Sequence, residues 1–253
     1  MSDKPLLLER HDDVAVIRLD RGVTNAIDLE VVHALENALR EVARDPACIG
    51  LVLTSSNDKF LSIGFDIPNL LPLSESDFAA FFRSFNEMCL DLFLLAKPTA
   101  AAITGHAIAG GCILALGCDY RMIAEGRKLM GLNEIRLGVP VPYFADCVLR
   151  SLVGWRNARM IMETGDFFPA KEALELGLVD QVFPQEDVLH HALEKVRALG
   201  RTPGRAYSLI KGNRVEPIAL EVRRGLEKQE KSFLEAWYSE PARTQLKQAA
   251  SRF

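Results

Sequence analysis

The sequence predicts an α/β fold with a helical C-terminal part, and three observations carry that prediction. Ile49 to Thr54 is an unbroken apolar run of strand length, the pattern of a strand buried on both faces. Residues 103–117 set a strand end, a glycine turn and a short apolar helix in direct succession. From Gln185 the chain is helical by pattern almost to its end, and the composition shifts near Pro184. The expected organisation is a core domain over residues 1–184 and a helical part over residues 185–253.

Leu6 to Glu9 and Val14 to Leu19 suit a hairpin around the polar turn His11-Asp12-Asp13. Asp28 is a fitting N-cap for a helix over Leu29 to Ala43, where Val32, Leu35, Leu39 and Val42 recur at helical spacing. After the 49–54 strand, the loop Lys59 to Asp66 turns at Gly64, and Asp66 suits a cap for the turn Ile67 to Leu70. Ser74 opens a long helix to Leu95, whose Phe78, Phe81, Phe82, Phe85 and Phe93 suit ordinary core packing or the lining of an acyl-chain pocket. Pro98 opens the strand that ends at Ile103-Thr104, and the turn Gly105 to Gly111 leads into the helix Cys112 to Leu116. Beyond Pro140, helices are expected over Phe144 to Leu152, Asn157 to Thr164 and Ala170 to Leu176, punctuated by Gly154, Gly165 and Gly177, with a short strand at Val179 to Val182. The C-terminal helices are expected over Asp187 to Leu199, Gly204 to Lys211, Glu216 to Tyr238, and from Pro241 to the end.

Composition excludes several classes. A 49% hydrophobic chain of 253 residues supports one large core. The net charge of −4 argues against a general nucleic-acid binder, which needs clustered cations. No run suits a membrane span, and the acid-bearing N-terminus MSDKPLLLERHDD suits neither a secretory signal nor a transit peptide, so a cytoplasmic protein is expected. Cys48, Cys89, Cys112, Cys118 and Cys147 form no CxxC pair and suit buried thiols. The five histidines have no metal-ligand spacing, and no nucleophile has a base at recognisable spacing, so neither a metal, a redox cofactor nor covalent catalysis is expected.

Three places carry candidate chemistry. Gly110 and Gly111 allow backbone N–H groups to approach a negatively charged oxygen at the start of a helix; the same pair also suits a turn that only packs a helix on a strand. The loop at Gly64 repeats the design, and the Phe65 N–H could converge with one from the glycine pair on a single oxygen. Glu134 stands among Leu129, Met130, Leu132, Ile135 and Leu137, where burial would raise its pKa toward neutrality; a solvated turn residue or a pair with Arg136 is the competing account. His106, inside the glycine turn, suits packing or backbone capping better than ligand contact.

In combination the segments Asn25-Ala26-Ile27, FLSIGFDI at 60–67, KPTAAAITGHAIAGGCILALGCDYR at 97–121, GLNEIRLGVP at 131–140 and the stretch from Thr164-Gly165 to Gly177-Leu178-Val179-Asp180 resemble the crotonase, or enoyl-CoA hydratase/isomerase, superfamily. The resemblance implies repeated ββα units in a spiral core, assembly as a trimer or a pair of trimers through the helical part, and an acyl-CoA thioester substrate with no other cofactor. It also implies an oxyanion hole from the N–H groups of Phe65 and Gly110, and a CoA site near Ala26, Ser62, Ile63, Gly64, Asp66 and Gly111. Family members that hydrate a double bond use two glutamates; here the later position is Glu134 and the earlier one is Ile113. A lone carboxylate suits movement of a double bond from C3 to C2, so the expected function is an enoyl-CoA isomerase of fatty acid metabolism. A hydratase (a lyase), another thioester enolate reaction, or a noncatalytic acyl-CoA- or RNA-binding member are the alternatives. Asp146 falls on the following helix pattern, and the basic residues Lys211, Arg214, Lys228 and Lys231 suit solvated helix faces.

Overall fold

The computed structural model describes residues 4–251; Met1 to Asp3 and the last two residues of the helix expected to run from Pro241 to the end lie outside the described residues. Two sheets form its centre. β1 (Leu6–His11) and β2 (Val14–Leu19) make the expected hairpin, with Leu6 opposite Leu19 and His11 opposite Val14. β2 runs parallel to β3 (Gly50–Ser55), and β5 (Thr99–Ile103), β7 (Tyr120–Ala124) and β10 (Gln181–Phe183) continue the sheet in the order β1-β2-β3-β5-β7-β10. All six residues of β3 are buried, as the unbroken apolar run requires of a strand covered on both faces.

The second sheet was not expected from the sequence. It has the order β4 (Phe60–Ser62), β6 (His106–Ile108), β8 (Leu129–Gly131) and β9 (Phe167–Pro169), each strand three residues long. β3 and β4, β5 and β6, and β7 and β8 are successive pairs, each giving one strand to each sheet. The first is followed by α2 (Ile67–Leu70) and α3 (Glu75–Leu94), the second by α4 (Gly110–Leu116) and the third by α5 (Tyr143–Thr164). This is the repeated ββα spiral, and it stacks the loops after β4, β6 and β8 along one edge.

The first helix, α1 (Leu29–Arg44), starts at Asp28, whose side chain accepts from the Val31 N–H, and buries Val32, Leu35, Leu39 and Val42. Ser74 caps α3 in the same way. α5 is interrupted at Gly154, where φ is +74°, so the two expected helices are the two halves of one element. α6 (Ala170–Glu175) precedes β10, which lies two residues later than the expected strand at Val179.

In the helical part, α7 (Val188–Gly200) packs on the first sheet and α9 (Glu240–Ala250) closes the chain. Between them the expected pair of helices is a single one, α8 (Ala206–Trp237), running through Pro217. Proline removes one backbone donor, yet the helix continues because Val215, Ala219 and Val222 bury a stripe spanning the proline. The same core contains Phe233 and Trp237 of α8 together with Phe78, Phe81, Phe82 and Phe85 of α3.

Candidate active site

Two loops touch at the shared edge of the second sheet. Gly64 has φ +102°, and a Cβ added there would lie 2.9 Å from the Gly110 nitrogen and 2.9 Å from the Ala109 Cβ. No other residue type fits that approach without displacing backbone. Ala109 itself holds φ +47°, a conformation of cost for alanine that the turn from β6 to α4 imposes. Gly111 serves packing, because a Cβ there would meet the Ser62 carbonyl oxygen at 2.2 Å. The packing account of the glycine pair is therefore met: Gly110 stands at the meeting point, and Gly111 lets the loops close.

The backbone around Phe65 leaves its donor unused. Ile27 N–H donates to the Gly64 carbonyl at 2.8 Å, and Asp66 N–H donates to the Ile27 carbonyl at 2.9 Å. These bonds flank Phe65, whose own N–H finds no acceptor among the described residues; Gly110, the first residue of α4, is in the same state. The Phe65 ring stands edge-on to Phe81 and Phe85, with centroids 5.0 and 4.8 Å away. The aromatic stripe of α3 is thus mainly core, and it braces this loop.

Phe65, Gly110, Ile63, Ile113 and Glu134 line one cavity of about 660 Å³. Ala26, Ser62, Gly64, Asp66 and Gly111 do not form its wall. Ala26 is buried behind the first loop, and the Ser62 hydroxyl accepts from the Gly64 N–H at 3.0 Å. Asp66 caps α2 by accepting from the Asn69 N–H at 3.2 Å, the local account the sequence offered.

Glu134 opens a 3₁₀ turn (Glu134–Leu137) directly after β8 and is 4% exposed. Its Oε2 is buried and accepts no hydrogen bond from any described residue. Burial pushes its pKa from an ordinary 4.5 up to about 7, only partly opposed by a bond from its own backbone N–H. Arg136 is engaged elsewhere, paired with Asp166 and donating to the Thr164 carbonyl at 3.2 Å. Both competing accounts of Glu134, solvated turn residue and partner of Arg136, are thereby removed.

Ile113, 1% exposed on α4, gives the cavity an apolar wall. His106 also lines it, but its Nδ1 accepts from the Leu129 N–H at 3.1 Å, its ring packs on Phe60, and burial followed by the nearby Lys128 lowers its pKa. It is a neutral structural ring. Asp146 lies on α5 outside this cavity and pairs with Arg150 at 3.0 Å.

Asn133, Phe167, Phe233 and Trp237 line the cavity without having been singled out in the sequence. Asn133 adjoins Glu134, and Phe233 and Trp237 are four apart on a helix; those were the available signals. Lys211 corrects an expectation, being 2% exposed and bonded to Asp119 at 2.7 Å; Arg214 stands on a solvated helix face as expected and pairs with the same carboxylate. Among the described residues no cluster of three or more His, Cys, Asp or Glu is arranged to hold a metal ion, and no helix is long and apolar enough to cross a membrane.

Residues 9–249 match the model of the family described as enoyl-CoA hydratase/isomerase. The human protein "Enoyl-CoA delta isomerase 1, mitochondrial" is 34% identical over 78% of this chain and 66% of its own length, just under two thirds. "Crotonyl-CoA hydratase" of Syntrophomonas wolfei is 32% identical over 75% of this chain and 73% of its own. The crystal structure of human mitochondrial delta3-delta2-enoyl-CoA isomerase superposes with a TM-score of 0.94 at 29% identity, covering 98% of this chain and 97% of that one.

Proposed function

This chain belongs to the enoyl-CoA hydratase/isomerase family, and from that premise we propose that it moves the double bond of a 3-enoyl-CoA thioester to C2 with Glu134 as its acid–base group. The observation that carries this reading is a cavity with one unpaired carboxylate near pKa 7 and an apolar Ile113 in the place where two-glutamate members carry their second acid. Relatives named isomerase and hydratase stand at 34% and 32% identity, so similarity alone does not choose between them.

In this reading ionised Glu134 takes a proton from C2, the C–H electron pair forms a C1–C2 double bond and the thioester carbonyl pair moves onto oxygen, giving a dienolate conjugated with the C3–C4 double bond. The Phe65 and Gly110 N–H groups donate to its oxygen, where the negative charge develops. Protonated Glu134 then returns a proton at C4, leaving the double bond between C2 and C3. A pKa near the working pH suits a group that must both take and give. Hydration would further require a group to activate water, and Ile113 cannot do so.

The CoA portion of the substrate is assigned, through the resemblance, to the loops carrying Ala26, Ser62, Ile63, Gly64, Asp66 and Gly111. Assembly as a homotrimer or a pair of trimers through residues 185–253, with no further cofactor, and a cytoplasmic location belong to the same proposal.

The test is turnover of 3-enoyl-CoA by the parent and by Glu134→Gln. A loss of about a thousandfold in kcat is expected, within the range for removing a general base. In the parent, kcat/KM should rise with pH to an inflection near 7, since the base form is the ionised one. Activity of the variant within tenfold of the parent would take Glu134 out of the reaction.

A further inference from the structure

A second cavity of about 340 Å³ adjoins the first and shares Val139, Pro142 and Phe233 with it. Its chemistry differs. Asp146, Glu163 and Glu230 line it together with Asn86, and among the described residues no lysine, arginine or histidine does. Arg83 and Arg150 pair with Glu230 and Asp146 at 3.2 and 3.0 Å without forming part of the wall. The remaining surface is mostly apolar, with Phe82, Met162 and Leu226 among its members.

Asn86, on α3, is 1% exposed. Its Nδ2 donates to Glu230 Oε1 at 3.4 Å, while its Oδ1 is buried and accepts nothing from any described residue. Glu230 fixes that orientation, because turning the amide over would set oxygen against carboxylate. A buried amide oxygen without a donor is unfavourable, and a ligand O–H relieves it.

Resting on the acyl-CoA reading above, we propose that this second cavity receives the distal end of a long acyl chain and selects a terminal hydroxyl over a terminal carboxylate, with Asn86 Oδ1 as the acceptor. The shared residues set the two cavities side by side, and the proposed path of the chain crosses from the Glu134 cavity past Val139, Pro142 and the Phe233 ring. A hydroxyl end donates to Asn86. A methyl end fills apolar surface and leaves the amide oxygen unanswered. A carboxylate end meets three acids, Glu230 and Asp146 already paired with Arg83 and Arg150 and Glu163 beside them, and finds no cation on the wall among the described residues, so it is both desolvated and repelled. The order of preference is hydroxyl, methyl, carboxylate.

The experiment compares kcat/KM for long 3-enoyl-CoA esters of equal length ending in methyl, hydroxyl or carboxylate, beside a short-chain 3-enoyl-CoA whose tail stays in the first cavity. The parent is expected to favour hydroxyl over methyl about fivefold and over carboxylate about a hundredfold. Asn86→Leu should bring the hydroxyl-to-methyl ratio to about one, and Glu230→Gln should reduce the discrimination against carboxylate about tenfold. Each ratio is taken within one preparation, so a partly unfolded variant does not distort it. Equal rates for the three long esters, or a hydroxyl preference unchanged in Asn86→Leu, overturn the inference. If the short ester turns over while the tails are indifferent, the isomerase reading stands and only the tail assignment falls; no turnover of any ester overturns both.

Discussion

Asp119 and Glu134 are both buried carboxylates, and the protein treats them in opposite ways. Asp119 accepts from the Thr99 N–H at 2.9 Å, the Thr99 hydroxyl at 3.0 Å, the Tyr207 hydroxyl at 2.9 Å and Lys211 at 2.7 Å, and also pairs with Arg214. Burial acts to raise its pKa, but Lys211 foremost, then Arg214 and the Thr99 N–H, hold it below the ordinary value. Glu134 has the burial without such partners, and its pKa rises to about 7. Both carboxylates are buried; the partners decide whether one is held ionised as a strut or left unpaired with a raised pKa.

The comparison breaks most severely at the strut. Asp119→Ala leaves Lys211 buried without its counter-ion, and a loss of about 3–5 kcal/mol in stability by urea unfolding is expected. A loss below about 1 kcal/mol would mean that the network is solvated and holds little.

At Glu134 the same contrast predicts the opposite sign, because replacing a buried, unpaired carboxylate by Glu134→Gln should stabilise. The folded pKa of about 7 lies above the ordinary 4.5, so below pH 4.5 the carboxyl is neutral in both states and carries no penalty. As pH rises from there the unfolded chain ionises first, and stability falls until the folded group has also ionised, near pH 7. At about 1.4 kcal/mol per pKa unit the whole effect is roughly 3 kcal/mol. Parent and variant should therefore be equally stable near pH 4, with the variant ahead by about that amount at pH 8. A gap that does not change with pH would contradict the desolvated state of Glu134.

The smallest expected effect concerns the backbone donors. Gly64→Ala must push the loop away from Gly110, and about a hundredfold loss of kcat is expected, the scale of losing one oxyanion donor. KM should move far less; a rise in KM with kcat preserved would assign Gly64 to binding alone.

The burial of Glu134 and the tight turns at Gly64 and Gly110 were legible in the sequence because glycine turns and a lone acid in an apolar run leave local marks. Ile113 acquired meaning only through the resemblance. The second sheet left no such mark: FLS, HAI, LMG and FFP are too short for any period to show, and they pair only because the spiral stacks them. Lys211 looked like a solvated base because Asp119, which draws it into the interior, is remote in the chain. Phe233 and Trp237 fit a helix pattern, and their place on the cavity wall follows from how α8 packs beside α3, which no local pattern reveals.

The proposed isomerase activity rests on one carboxylate that shares its cavity with an apolar Ile113. It is tested most directly by measuring, on the purified parent under one set of conditions, the rate of 3-enoyl-CoA isomerisation against the rate of water addition to 2-enoyl-CoA. The account predicts isomerisation faster by about a hundredfold or more, the usual contribution of the second acid–base group that hydration lacks here. Hydration at a comparable or greater rate would contradict it and require a second acid that this cavity has not been seen to supply.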